Sequence, residues 1–177
     1  MVSVVDNAVV QICFIVPDLD VAMQSWKDMV GAGPFFVEKN LSVPVNYRGT
    51  PSFLEIHVGL GQIGSIQLEL IELTSDIPSV YRDMFPEPKA GGFHHVAVFV
   101  EDIEREIAAL EAQGHSMGAR GEFAGTPFAY MDTRSKTGAF TELYQYADGM
   151  QSFYGNIAAA ARGWDGDRLV RPMSDVL

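Results

Sequence analysis

Two stretches of the chain recur in the same order, and this internal repeat limits the fold more than any other feature. VQICFIVPDLD, which begins at Val10, returns as HHVAVFVEDIE, which begins at His94, and ELIEL at Glu69 returns as ELYQY at Glu142. A repeated supersecondary unit brings matching positions of its copies together. The sequence therefore predicts a single α+β domain made of two similar modules.

Each copy has the pattern of a strand, a helix and then further strands. We place module one at about 7–73 and module two at 93–147, joined by a linker at 74–92 that is rich in Pro and Gly, so that one domain covers 1–147. Residues 148–177 are predicted to form a C-terminal helix and tail. We interpret the tail after the helix, 164–177, as a strap that packs on the domain or on a neighbouring subunit, without a catalytic role.

The two modules differ in length. Gln11 to Glu69 spans 58 positions (69 − 11), whereas His95 to Glu142 spans 47 (142 − 95). The extra length of module one is expected in the region 40–64.

Local patterns predict several elements within these modules. A helix is expected over 19–30, after Pro17 and Asp18. The C-terminal helix is expected over 151–162. The hairpin of module one is expected as two strands, 35–39 and 51–58, separated by a polar stretch that contains proline. The last residues, 164–177, are expected to be irregular.

Composition excludes several classes of protein. The 177 residues are 47% hydrophobic and 20% charged, which is ordinary for a globular domain. The single cysteine, Cys13, excludes an internal disulfide and a cysteine-rich zinc site. A formal net charge of −11 disfavours nucleic acid as a partner. No apolar run approaches the length of a membrane span, and the N-terminus does not have the pattern of a secretion signal, so a cytoplasmic location is expected.

Four polar residues occupy matching places in the two copies. Gln11 matches His95 (95 − 11 = 84) and Glu69 matches Glu142 (142 − 69 = 73). Their nitrogen and oxygen atoms form a ligand set suited to Zn, Ni, Mn or Fe(II), and apolar neighbours would make an unpaired carboxylate at Glu69 or Glu142 costly to bury. Alternatively, such residues are the solvated face of a sheet and His95 is a structural histidine. The repeat favours a divalent metal site.

Side-chain parity along the strands adds two expectations. Cys13 shares a face with Gln11, and we interpret it as a small buried residue because no basic neighbour in sequence favours a reactive thiolate. His94 has the opposite parity to His95, so it is expected to face the helix layer.

The two βαβββ-like copies, the V-x-D opening of each helix, HHVAVFVEDIE and the terminal TELYQY resemble the vicinal oxygen chelate superfamily. That superfamily includes glyoxalase I, methylmalonyl-CoA epimerase, extradiol dioxygenases and bleomycin-binding proteins. The resemblance implies paired modules that form a cupped mixed sheet around a divalent metal ion. By position, it places the metal ligands at Gln11, Glu69, His95 and Glu142.

The resemblance also implies catalytic residues. Glu142 is the first candidate for the base, because this terminal-strand Glu lies at both metal and substrate in glyoxalases and epimerases. Glu55 in FLEIHV resembles the second acid/base of the epimerases, and Phe53 and His57 share its strand face. Alternatively, Glu55 is an ordinary carboxylate on the surface of the strand.

Aromatic residues late in module two are candidates for the wall of an apolar substrate pocket. The predicted pocket residues, including the two that share a face with Glu55, are Phe53, His57, Phe128, Tyr130 and Tyr144. Aromatic residues on strands more often belong simply to the core.

Three functions remain open at this point. The first is a metal-dependent isomerase, epimerase or lyase, acting by proton transfer on a small carbonyl or thioester substrate. The second is a metal-independent binding or resistance protein, and the third is a ring-cleaving dioxygenase, which Gln11 in place of a first His disfavours. Glutathione or CoA as the substrate carrier would require basic residues, for which Arg48, Arg120, Arg134 and Lys136 are available. A homodimer is the expected assembly.

Overall fold

A computed structural model describes residues 8–87 and 89–177. The elements follow in the order β1 (Gln11–Ile15), α1 (Leu19–Val30), β2 (Phe35–Tyr47), β3 (Thr50–Ile63), β4 (Ile66–Leu73), α2 (Val80–Met84), β5 (Gly92–Val100), α3 (Ile103–Ala112), β6 (Ser116–Phe123), β7 (Thr126–Asp132), α4 (Arg134–Thr137), β8 (Phe140–Gln145), α5 (Asp148–Ala161) and β9 (Val170–Pro172). A short 3-10 turn, Met173–Asp175, comes last.

The predicted repeat is present as β1-α1-β2-β3-β4 and β5-α3-β6-β7-β8. In each copy the first strand pairs in parallel with the last, and the registers correspond. Cys13, two residues after Gln11, lies opposite Glu69, and Ala97, two residues after His95, lies opposite Glu142. The prediction of an α+β fold with paired βαβββ modules is confirmed.

Eight of the strands close into a ring. The order is β3-β4-β1-β5-β8-β7-β6-β2, and β2 pairs back onto β3. Two antiparallel seams join the modules, β1 with β5 and β2 with β6. An eight-stranded ring of this kind has an interior just wide enough for side chains or one small ligand.

Matching caps begin the helix of each module. The Asp18 carboxylate accepts a hydrogen bond from the Val21 amide at 2.9 Å, and the Asp102 carboxylate accepts one from the Arg105 amide at 3.0 Å. An Asp in this position satisfies an amide that the helix itself leaves free. Gly31, with φ of 72°, ends α1 in the left-handed conformation that favours glycine.

The hairpin of module one corrects one prediction. Instead of two short strands separated by a polar stretch, β2 has 13 residues and β3 has 14, against 8 and 7 in β6 and β7. A bulge between Glu38 and Leu41 holds Asn40 at φ of 59°, after which pairing resumes with Pro44 opposite Phe53. The polar segment therefore forms a bulge within a continuous strand and not a loop between two strands. The extra length of module one therefore lies where it was expected.

The C-terminal segment is more ordered than the sequence indicated. Helix α5 starts at Asp148, earlier than expected, and β9 pairs in parallel with the start of β2, where Phe35 lies opposite Val170. The 3-10 turn buries Met173. The prediction of an irregular end holds for 164–169 and is wrong for 170–175, where β9 pairs with β2 and the 3-10 turn follows.

Apolar side chains occupy the interior of the ring and the two surfaces beneath the helices. The cluster under α1 includes Leu19, Met23 and Phe35, and the cluster under α3 includes Ile103, Ile107 and other buried residues. In the part of the chain that the structure describes, no helix is both long and apolar enough to cross a membrane.

Candidate metal centre and pocket

The four predicted ligand residues meet around one atom, the Nε2 of His95. This nitrogen lies 3.1 Å from Oε2 of Glu142, 3.4 Å from Oε2 of Glu69 and 3.4 Å from Oε1 of Gln11. His95 is fully buried, and Glu142 and Gln11 are 2% and 3% exposed. The strands β1, β4, β5 and β8 that carry them are neighbours in the ring, so the site straddles the seam between the modules.

These atoms suit a divalent cation. Ligands about 2.0–2.1 Å from a tetrahedral Zn²⁺ are about 3.3–3.4 Å from one another, close to the separations found here. Glu69 Oε2 is buried and accepts no hydrogen bond from the described residues. An ionised oxygen in that position requires a cation or a proton. The donor set therefore fits the metal that the sequence suggested, and metal binding stays a prediction.

A chain of hydrogen bonds behind His95 sets its tautomer. His94 Nε2 lies 3.0 Å from the Val80 carbonyl oxygen, to which it must donate, so its Nδ1 is an acceptor. That Nδ1 lies 2.9 Å from Nδ1 of His95, which therefore donates. The Nε2 of His95 is thereby left facing the three oxygens, where its lone pair can bind a metal ion. A hydrogen bond of this kind fixes the orientation of a ligating histidine.

The position of His94 corrects the parity argument. Cys13 pairs with His95 and Phe14 with Phe93, so His94 is an extra, unpaired residue at a bulge in β5. The bulge turns both histidine rings toward the same interior. His94 is fully buried and stacks on Phe140, with ring centroids 5.0 Å apart.

Gln11 is held in place by a neighbour that sequence reasoning missed. Its Nε2 donates to Oε1 of Gln67 at 2.7 Å, which directs its own Oε1 toward His95. Gln67 is the register partner of Gln11 on β4, and its parity with Glu69 was the available signal. Its Nε2 is buried and has no partner among the described residues.

Cys13 lies beside the same centre. Its Sγ, a Glu69 carboxylate oxygen and a His95 ring nitrogen lie within 4.8 Å of one another. Burial, reinforced by Glu69, raises the pKa of the Cys13 thiol well above its ordinary value. The thiol therefore stays protonated, in keeping with its interpretation as a small buried residue.

Glu69 has the most informative electrostatics. Burial raises the pKa of its carboxyl group to about 7, His95 opposes this shift and the charge of Glu142 adds to it. Burial also raises the pKa of the pocket tyrosines Tyr130, Tyr144 and Tyr154, so their hydroxyls are neutral. A carboxyl group that titrates near neutral pH is suited to proton transfer.

A pocket lies inside the ring, with Gln11, Glu69 and Glu142 among its lining residues. The predicted pocket residues Phe128, Tyr130 and Tyr144 line it. The remaining lining is mostly apolar: Leu41, Val43, Leu54, Ile56, Val58, Leu60, Gln67, Tyr81, Phe123, Met150, Phe153, Tyr154 and Met173. Thus α5 and the 3-10 turn supply part of the wall, although the segment that contains the 3-10 turn was predicted to be only a strap.

The structure does not bring Glu55 to this site. Along β3 the buried residues are Leu54, Ile56 and the other members of their face, which line the pocket. Glu55 lies on the opposite face, together with Phe53, which is 48% exposed, and His57, whose Nδ1 accepts a hydrogen bond from the Asn40 amide at 2.9 Å. The prediction of these three residues in the pocket is therefore corrected, since the apolar face of the strand is the inner one.

Comparison with protein families matches residues 10–130 to the model of the glyoxalase/bleomycin resistance protein/dioxygenase superfamily. The uncharacterized protein YqjC of Bacillus subtilis (strain 168) is 30% identical over 116 residues, which cover 61% of this chain and 78% of that protein.

Solved structures share the fold. Methylmalonyl-CoA epimerase from Mycobacterium tuberculosis matches with a TM-score of 0.58 and 19% identity, covering 85% of this chain and 93% of that one. A variant of methylmalonyl-CoA epimerase from Streptomyces coelicolor, in complex with 2-nitronate-propionyl-CoA, gives a TM-score of 0.59 and 19% identity, covering 80% and 95%. The hypothetical protein BH1468 from Bacillus halodurans C-125 gives 0.57 and 17%, covering 80% and 95%. At these identities the likeness concerns the fold alone.

Proposed function

The chain belongs to the glyoxalase/bleomycin resistance protein/dioxygenase superfamily, and from that premise we propose that it is a metal-dependent isomerase, epimerase or lyase. The reaction would move a proton on the carbon next to a substrate carbonyl group. The observation that carries this proposal is the convergence of Glu69, Glu142 and Gln11 on the Nε2 of His95 beside a pocket inside the ring.

The donor set fits a divalent ion held by Gln11, Glu69, His95 and Glu142. Such an ion supplies Lewis acidity, which makes a C–H bond next to a carbonyl group more acidic. The Zn, Ni, Mn and Fe(II) ions all accept nitrogen and oxygen ligands of this kind.

The two pocket carboxylates then have complementary roles. Glu142, 2% exposed, is the proposed base that removes the proton. Glu69, whose Oε2 lies 3.4 Å from the same nitrogen of His95, is the proposed second acid/base, in the role that the sequence suggested for Glu55. The surrounding tyrosines and aliphatic side chains exclude water from this transfer.

Deuterium incorporation from D₂O into a carbonyl substrate tests the proposal directly, because it reports proton transfer itself. Glu142→Gln is expected to slow the exchange by about 10²- to 10⁴-fold, the usual contribution of a positioned base. Glu55→Gln is the matched control: it makes the same chemical change on the outer face of the sheet and should leave exchange unchanged. Equal loss in both variants would contradict these roles. Tight ligand binding without any exchange would favour the binding-protein alternative.

A further inference from the structure

The lining of the pocket next to the carboxylates offers no cationic side chain to an anionic ligand. None of its lining residues, all of them within the described part of the chain, is Lys or Arg. It contains instead two carboxylates, whose charge would balance that of a divalent ion held there, and the chain as a whole has a net charge of −11. Burying a phosphate or a free carboxylate in such a place is costly unless a cationic side chain pairs with it.

Three of the basic residues that might have received a CoA or glutathione carrier are engaged elsewhere. Arg48 binds Asp83 at 2.6 Å and Asp132 at 3.0 Å, and Arg134 binds Asp132 at 2.7 Å. The third, Arg120, binds the carboxylate of Glu104 at 2.5 Å. Recruiting any of them to a ligand would break an existing ion pair.

Two neutral polar groups in the pocket have no partner among the described residues. They are the Nε2 of Gln67, a residue that is 1% exposed, and the hydroxyl of Tyr154 on α5. Both residues line the pocket together with Met150, Phe153 and aliphatic residues of β3. A buried donor without an acceptor is costly, and a ligand oxygen removes that cost.

We infer that the substrate is a small uncharged carbonyl compound with an aromatic or branched alkyl body, whose oxygen atoms accept hydrogen bonds from Gln67 and Tyr154. CoA thioesters and glutathione conjugates, whose charged groups would meet no cationic side chain in this lining, are expected to bind more weakly. This inference rests on the proposed function and narrows it to one substrate class. Helix α5, outside the repeat, is thereby a determinant of specificity.

Isothermal titration of the full chain with added Zn²⁺ tests the inference, with 2-hydroxyacetophenone as the neutral probe and acetyl-CoA and S-methylglutathione as anionic ones. Only the neutral probe is expected to bind in the millimolar range or tighter. Tyr154→Phe should weaken its binding about 5- to 10-fold, the value of one hydrogen bond. Tyr146→Phe is the matched control, because Tyr146 lies outside the pocket and is 43% exposed.

Two results would overturn the inference. One is binding of acetyl-CoA or S-methylglutathione at least as tight as that of the neutral probe, and the other is an unchanged affinity in Tyr154→Phe. Deuterium exchange separates this failure from failure of the proposed function. Exchange observed with acyl-CoA substrates alone would sustain proton transfer and refute the substrate class. Selective binding of the neutral probe, with no exchange, would sustain the class and refute the reaction.

Discussion

The imidazole rings of His94 and His95 meet through their Nδ1 atoms, 2.9 Å apart and fully enclosed by protein. Two consecutive residues of a regular strand face opposite ways, so this contact exists only because of the bulge in β5. The bulge thus lets two consecutive histidines hydrogen-bond to each other. Through this bond His94 orients the ring of His95, which faces the carboxylates.

His94→Phe is expected to weaken divalent metal binding by about 10- to 100-fold, the usual effect of removing a partner that orients a ligand. Phe retains the stacking on Phe140 and removes both hydrogen bonds of His94. Metal titration of the folded variant measures the effect. His57→Phe, on the outer face, is the control, and equal affinities in the two variants would refute the orienting role.

His95→Ala is expected to remove the bound metal, because His95 supplies the nitrogen around which the three oxygens converge. Elemental analysis of purified protein should give about one divalent ion per chain in the wild type and far less in the variant. His57→Ala should retain the wild-type content. Thermal unfolding with and without added Zn²⁺ should show that the stabilisation by metal is lost in His95→Ala only.

The pH dependence of metal binding should follow Glu69. Its pKa rises from 4.5 to about 7 in the folded, metal-free protein, so the proton competes with the metal below that value. Metal affinity is expected to increase with pH up to about 7 and then to level off, as measured by titration at fixed ionic strength.

The same pKa shift of Glu69 lowers the stability of the metal-free protein as the pH rises, whereas the rise in pH increases the metal affinity. A carboxyl group whose folded pKa exceeds its ordinary value contributes stability below pH 4.5 that is lost as the pH rises through about 7. Glu69→Gln should remove this loss and flatten the pH profile of metal affinity. If the pH profile of metal affinity is unchanged in this variant, the titrating group is not Glu69.

Gly61→Ala tests the packing of β3 on the core. A methyl group there would lie 2.7 Å from the ring of Phe35, which is fully buried. A destabilisation of about 1–3 kcal/mol is expected in chemical denaturation. Gly149→Ala in α5 is the control: no atom lies within 4 Å of its added methyl, so it should be neutral or slightly stabilising.

The repeat was enough to predict the fold and the four converging residues, because ligand positions follow strand parity and register, both of which recur in the sequence. The inner face of β3 could also be predicted, because Leu54 and Ile56 alternate with Glu55 and His57. The resemblance of FLEIHV to an epimerase strand outweighed that alternation and led to the wrong face.

Other features depend on contacts between distant parts of the chain. The bulge that turns His94 inward arises from pairing with β1, which no local pattern around His94 reveals. The place where α5 docks is likewise set by the shape of the finished ring. Met150 and Phe153 mark an apolar helix face in the sequence, but not the pocket that this face covers.

The location of the four converging residues on the β1–β5 seam has a consequence for folding. Gln11 and Glu69 precede the linker and His95 and Glu142 follow it, so neither half contains the donor set alone. Contacts this far apart in sequence carry the largest loop-closure entropy and form late. Separating β1 from β5 would separate the four residues while each half kept its own strands. The rate at which metal affinity appears during refolding would therefore report the rate at which one half docks on the other.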